Sequence, residues 1–155
     1  MNKELTEDEA LKKAAAYCAK SEHCRDDVMK KLQSWGIAPA TSAEIVARLT
    51  DEHFIDEERY AGSFARDKFR FASWGRTKIA YELQMRHIAD AHIAKGLAAI
   101  DNEEYEERLQ SLLEKKRQSI KDESNRFETY GKLMRYALSK GYEPELIKKH
   151  LPDVQ

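Results

Sequence analysis

The stretch "RYAGSFARDKFRFASWGR" (residues 59–76) gathers five Arg or Lys residues and five aromatic rings around one acid, Asp67, in a chain whose formal net charge is −1. Guanidinium groups hold carboxylate or phosphate with two parallel hydrogen bonds, and neighbouring rings add cation–π contact. The chemistry open to this run is recognition of an anionic partner. On a helix at 100° per residue, Arg59, Arg66 and Arg70 fall within about 40° of one another and form a stripe. The same wheel groups Tyr60, Phe64 and Phe71 with Ala61 as the inward face, and leaves Phe69 exposed beside the stripe. Lys68 lies in the same run, the "ASWGR" turn adds Trp74 and Arg76, and the next helix adds Lys78 and Arg86.

Other chemistry is harder to assemble. Cys18, Cys24 and His23 invite a metal reading, but zinc needs four ligands in recognisable pairs, and His53, His87, His92 and His150 supply none. Packed or partly exposed cysteines fit better. The chain has no G-x-S-x-G, P-loop, G-x-G-x-x-G, H-E-x-x-H or C-x-x-C. Acid pairs such as Asp26-Asp27, Asp51-Glu52 and Glu103-Glu104 fall at or near expected helix starts, where carboxylates offset the positive end of the dipole. No catalytic residue, cofactor or metal is expected.

Charge is unevenly placed. Residues 1–58 carry 8 basic and 13 acidic residues, residues 59–100 carry 8 and 3, and residues 101–155 carry 11 and 12. A basic centre therefore sits between an acidic arm and a mixed one. With 35% charged residues, six Gly and three Pro, the composition fits a helix-rich soluble protein. No apolar run approaches the roughly 20 residues that span a bilayer, and the polar start is unlike a signal peptide. A cytoplasmic monomer without membrane contact is expected.

The elements that must carry the basic run form a repeat. "RDDVMKKLQSWGI" (25–37) aligns with "RTKIAYELQMRHI" (76–88) and "YGKLMRYALSKGY" (130–142). Three apolar columns follow: Val28, Ile79 and Leu133; Leu32, Leu83 and Ala137; Ile37, Ile88 and Tyr142. Two more come from the following helices, through Ile45, Ile93 and Ile147 and through Leu49, Leu97 and Leu151. Gly36 and Gly141 stand where a left-handed residue ends a helix, and His87 takes that column in the middle unit. The spacing predicts an all-α fold of nine helices in three tandem three-helix repeats, 1–55, 56–100 and 101–155, in an elongated, curved protein. The residues "HFID" at 53–56 read as a linker.

"DEERYAGSFAR…WGRTKIAYELQMRHI" resembles the central signature of the RecX family, regulators of the recombinase RecA. The matching positions are Asp56, Glu57, Arg59, Tyr60, Ala61, Phe64, Arg66, Gly75, Ile79, Glu82, Leu83 and Ile88. Arg25, Val28, Lys31, Leu32 and Gly36 resemble the family's first-unit motif, and Gly141, Tyr142 and Ile147 its closing one. The chain departs from the pattern at Cys24, where Ser is usual, at His87, where Gly is usual, and by an insertion in the first unit. The resemblance implies a non-catalytic protein lying in the groove of the RecA filament on single-stranded DNA. There it would hinder filament growth, strand exchange, ATP hydrolysis and the coprotease role. Arg59, Arg66, Lys68, Arg70, Trp74, Arg76, Lys78, Arg86 and Arg25 are the expected contacts with RecA or DNA phosphate. The rival is a DNA-binding protein of helix-turn-helix-like units that touches phosphate. Its third helices begin "APATSAEIV", "ADAHIAK" and "PELIKK", which are poor in base-reading side chains.

Overall fold

A computed structural model describes residues 5–121 and 124–151. The first helix of each triplet opens with the same device: a side-chain oxygen just ahead of the helix accepts an N–H three residues on. Thr6 accepts from Glu9 at 3.1 Å, Asp56 from Arg59 at 3.0 Å and Asp101 from Glu104 at 2.9 Å. They start α1 (Glu7–Lys20), α4 (Glu57–Ala72) and α7 (Asn102–Ser119). The second helix of each triplet, α2 (Arg25–Ser34), α5 (Arg76–Met85) or α8 (Arg126–Lys140), runs into a residue of positive φ. These are Gly36 (+81°), His87 (+59°) and Gly141 (+98°), so the expected turn column holds in all three units. Triplets close with α3 (Pro39–Asp51), α6 (Asp90–Ala98) and α9 (Pro144–Lys149), the first and last entered through a proline that lacks the N–H no helix start can use. Among the described residues there are nine helices and no strand.

Most positions of the apolar columns are core, while Ile37, Leu97 and Leu151 are partly buried and pack against it. Val28, Ile79, Leu32, Leu83 and Ala137 are fully buried, and Ile45, Ile93, Ile147 and Leu133 nearly so. They build two hydrophobic clusters rather than three. Ala10, Val28, Leu32, Ile45 and Leu49 close a core of α1–α3. Residues from α4 to α9 share the other, which takes in Tyr60, Leu83, Tyr105, Leu133 and Ile147. Cys24, at the head of α2, belongs to this second core and plugs the first triplet into it. Burial pushes its thiol up to about 11, so it stays protonated and apolar in its packing.

One expectation on α4 is reversed. Phe69 is buried and Phe71 is 85% exposed. The inward face of this helix is centred on Ala61 and Ala65, with Tyr60 and Phe69 at its flanks, and α6 packs there at close range. A side chain at Gly96 on α6 would stand 2.9 Å from the Ala61 carbonyl oxygen. A wheel read from rings alone points away from a face made of small residues.

The second and third triplets meet turn to turn. Gly75 donates to the Lys140 carbonyl at 2.7 Å and Thr77 to the Gly141 carbonyl at 2.9 Å. A Cβ at Gly75 would overlap the Gly141 carbonyl, and one at Gly141 would overlap the Lys78 Cβ. At Gly36 the surrounding space is open. Gly36→Ala should therefore cost only the strain of a positive φ, about 1 kcal/mol. Gly141→Ala adds the overlap and should cost at least twice that, about 2–4 kcal/mol. Urea unfolding of the two variants checks the contrast, and equal losses contradict the close approach.

Candidate functional site

The basic run splits across opposite sides of α4. On one side, Trp74 lies between two ammonium groups, Lys68 Nζ at 4.8 Å and Lys78 Nζ at 4.7 Å from its ring centroid. Lys68 also stands 5.6 Å from the Phe64 ring, and the Arg86 guanidinium 4.8 Å from it. Phe64 and Trp74 meet edge to face with centroids 6.2 Å apart. Each such contact adds about 0.5–1 kcal/mol at a partly exposed site and holds the charged head in place. Arg86 is steadied further by Glu82 Oε2 at 3.1 Å, a bond that raises its pKa against the lowering by burial. Three cations from two helices thus converge on two half-buried rings.

Beside this cluster, a groove of about 590 Å³ separates α4 from the α1–α2 turn. Glu22, His23 and Asp27 line one wall, and Tyr60, Lys68 and the exposed Phe71 the other. It continues the cluster's surface, with an acidic wall facing an aromatic one on which Asp67 stands beside Lys68.

The expected arginine stripe is not one set. Arg59 Nε lies 2.6 Å from Glu22 Oε1, and its Nη2 donates to the carbonyls of His53 and Phe54 at 3.2 and 3.4 Å. It ties the first triplet to the second. Arg66 and Arg70 are exposed on the face away from Trp74, with Arg66 laid back along Gly62. Arg76 is drawn into the junction with the third triplet. Its Nη1 pairs with Glu143 Oε2 at 3.0 Å, Nη2 donates to Asn102 Oδ1 at 2.7 Å, and its guanidinium sits 3.8 Å from the Tyr105 centroid. The Arg25 side chain is exposed at the head of α2, and the residue's backbone N–H donates to Glu57 Oε2 at 3.3 Å.

Two further cations shape the site from the third triplet. Arg108 donates to the Phe69 carbonyl at 2.8 Å and to Ser73 Oγ at 2.9 Å, and Lys140 Nζ donates to the Ala72 carbonyl at 3.0 Å. Both sit at the negative end of α4, where cations offset the dipole. Tyr142 donates its hydroxyl to the Ser73 carbonyl at 3.1 Å. Ser73 holds a left-handed φ of 56°, so these three side chains fix the turn that presents Trp74.

Residues 56–97 match the family model described as RecX, second three-helix domain, and residues 103–151 the model described as RecX, third three-helix domain. A Regulatory protein RecX from Clostridium tetani is 32% identical over 139 residues, covering 89% of this chain and 63% of its own length. One from Prosthecochloris aestuarii is 25% identical over 145 residues, covering 94% of this chain and 93% of its own. The chain thus spans a little under two thirds of the clostridial relative. The crystal structure of RecX from Lactobacillus salivarius superposes with a TM-score of 0.80 at 23% identity, covering 93% of each chain. A second crystal structure of a regulatory protein RecX gives 0.81 at 20% identity, over 93% of this chain and 72% of that one. These two likenesses show the fold.

Two outcomes follow from the junction. Arg76→Glu should lower stability by about 1–3 kcal/mol, since it breaks charge-assisted bonds and leaves Glu143 facing a like charge. Arg66→Glu with Arg70→Glu should leave the thermal midpoint within a degree or two, because both side chains face solvent. Differential scanning fluorimetry separates them. Burial, and for Tyr105 its bond to Glu143, raises the phenols of Tyr60, Tyr105 and Tyr142 above their ordinary 10.0. The unfolded chain loses these protons first, so stability is present below pH 10 and falls as pH rises beyond it. Tyrosinate absorbance from these three should appear only in step with the loss of helical circular dichroism.

Proposed function

The chain belongs to the RecX family of regulatory proteins, and from that premise we propose that it acts without catalysis by binding the RecA filament on single-stranded DNA. In this reading the triplets lie along the filament groove, bridge successive subunits and hinder filament growth, strand exchange, ATP hydrolysis and the coprotease role. The relatives bear the name of regulatory proteins. Among the described residues no helix is long and apolar enough to cross a membrane, and no group of His, Cys, Asp or Glu could hold a metal ion. We place the protein in the cytoplasm, as a monomer.

The observation that carries the reading is the convergence of Lys68, Lys78 and Arg86 on Phe64 and Trp74. Rings fixed by the fold and cations held over them form a surface that meets acidic side chains or phosphate with little ordering cost. Arg66 and Arg70 extend positive charge to the other side of α4, which suits a partner that surrounds the helix. Arg59 and Arg76 serve by holding the triplets in register.

Strand exchange by RecA, titrated with this protein, tests it. The Lys68→Glu/Lys78→Glu variant should keep its helicity and lose inhibition by at least ~10-fold in concentration, as expected when two steering charges are reversed. Trp74→Phe should retain most of the effect. Full inhibition by the folded double variant at wild-type concentration would remove the α4–α5 surface from the mechanism.

A further inference from the structure

The third triplet carries a second basic groove that its balanced composition hides. A groove of about 760 Å³ lies between the end of α7 and the middle of α8. Lys116 and Lys121 line it from one side, and Lys132, Arg135 and Tyr136 from the other, with no acid among the described residues in its lining. Lys132, Arg135 and Tyr136 stand at i, i+3 and i+4 and share one helix face. Lys116 Nζ sits 5.2 Å from the Tyr136 centroid. Arg135 folds back over Gly131, its Nη1 3.2 Å from where a Cβ would stand, so the missing side chain gives the guanidinium room.

The helix dipole does not account for all of these charges. Lys116 ends α7 and offsets its negative pole, but Lys132 and Arg135 lie in the interior of α8, outside the turn where a dipole acts. The acids Glu103, Glu104, Glu106 and Glu107 stand at the far end of α7. Glu107, the nearest of them, stands nine residues or about 13 Å of helix from Lys116, beyond the screening length of about 8–10 Å. Glu114, which accepts from Gln118, and Glu128, four residues before Lys132, lie outside the groove's lining. Four cations therefore share one concavity, with no acid among the described residues that line it.

We propose that this groove binds a nucleic-acid phosphate backbone, directly and apart from the α4–α5 cluster. The lining favours phosphate over an acidic protein surface. Protein partners are anchored by rings or aliphatic groups that enter a pocket or receive one. Here Tyr136 is partly buried beneath Lys116, and Ile120 is packed against the core. What the groove offers outward is charge, the feature by which backbone binding works without base readout.

Fluorescence anisotropy of a labelled oligothymidylate, with no RecA present, tests the groove separately from the reading above. Lys132→Glu/Arg135→Glu should weaken binding by at least ~10-fold, and Lys132→Gln/Arg135→Gln should lower the slope of log affinity against log salt by about 1.4, two single-strand contacts. The swap Lys132→Arg/Arg135→Lys should retain binding. Lys12→Glu/Lys30→Glu, an equal charge change on exposed positions of the first triplet, should bind as the wild type does. Equal losses in that control overturn the proposal, as does unchanged binding by the Glu or Gln variants. Displacement of the oligonucleotide by polyglutamate at equal charge concentration also overturns it, since the groove would then be a site for acidic protein.

Discussion

Gly75 and Gly141 bring two turns into backbone contact, each donating or accepting where a side chain would otherwise stand. Their apposition fixes how α4–α6 and α7–α9 meet, and the rest of that junction is built round it. Arg108 and Lys140 reach the carbonyl end of α4, Tyr142 reaches Ser73, and Arg76 returns the link to Glu143 and Asn102. Tyr105 packs between them, its ring tilted against those of Phe69 and Tyr142, and its hydroxyl accepts the Arg76 backbone N–H at 2.9 Å. Separate triplets here become one core, because a backbone contact this close leaves no gap for solvent.

The first triplet is attached by other means. Its own core stops at Ile55, and polar pairs cross the boundary: Arg59 with Glu22, and His87 Nδ1 with Asp26 Oδ2 at 2.6 Å. Pairs as exposed as these contribute about 0–1 kcal/mol each and are screened by salt. Cys24 supplies the apolar part of the joint. The two junctions therefore differ in kind: one shares an apolar core as well as hydrogen bonds, and the other is mostly polar. The groove beside Trp74 lies at the polar one, so its width depends on how the first triplet is seated.

Helices and columns were legible because each rests on a short-range rule. Gly36, His87 and Gly141 mark one turn three times, whereas Asp56, read as part of a linker, caps α4. The Phe69 and Phe71 exchange escaped the periodicity because the packed stripe of α4 is centred on alanines, which carry little weight on a wheel. Arg59 and Arg76 escaped for another reason. Their partners lie 37 and 67 residues away, and no local pattern reports a carboxylate that distant. Arg108 and Lys140, which fix the turn under Trp74, were missed on the same ground. The groove on α7–α8 was hidden by summation, since acids at the start of α7 cancel its cations in any count over the unit.

Position in space thus divides the cations by the work they do. Arg59, Arg76, Arg108 and Lys140 are bound to carbonyls or carboxylates of this chain, and their charge is largely answered within it. Lys68 and Lys78 are steadied over rings, which fix position without neutralising charge, while Arg86 is held both over a ring and by Glu82. A ring quadrupole attracts a cation but leaves its field intact for a third body, whereas a carboxylate cancels it. Net charge therefore understates what such a chain can present to an anionic partner. The fold uses carboxylates where helices must be joined and aromatic faces where charge must remain available, and that choice distinguishes a joint from a binding surface within one basic run.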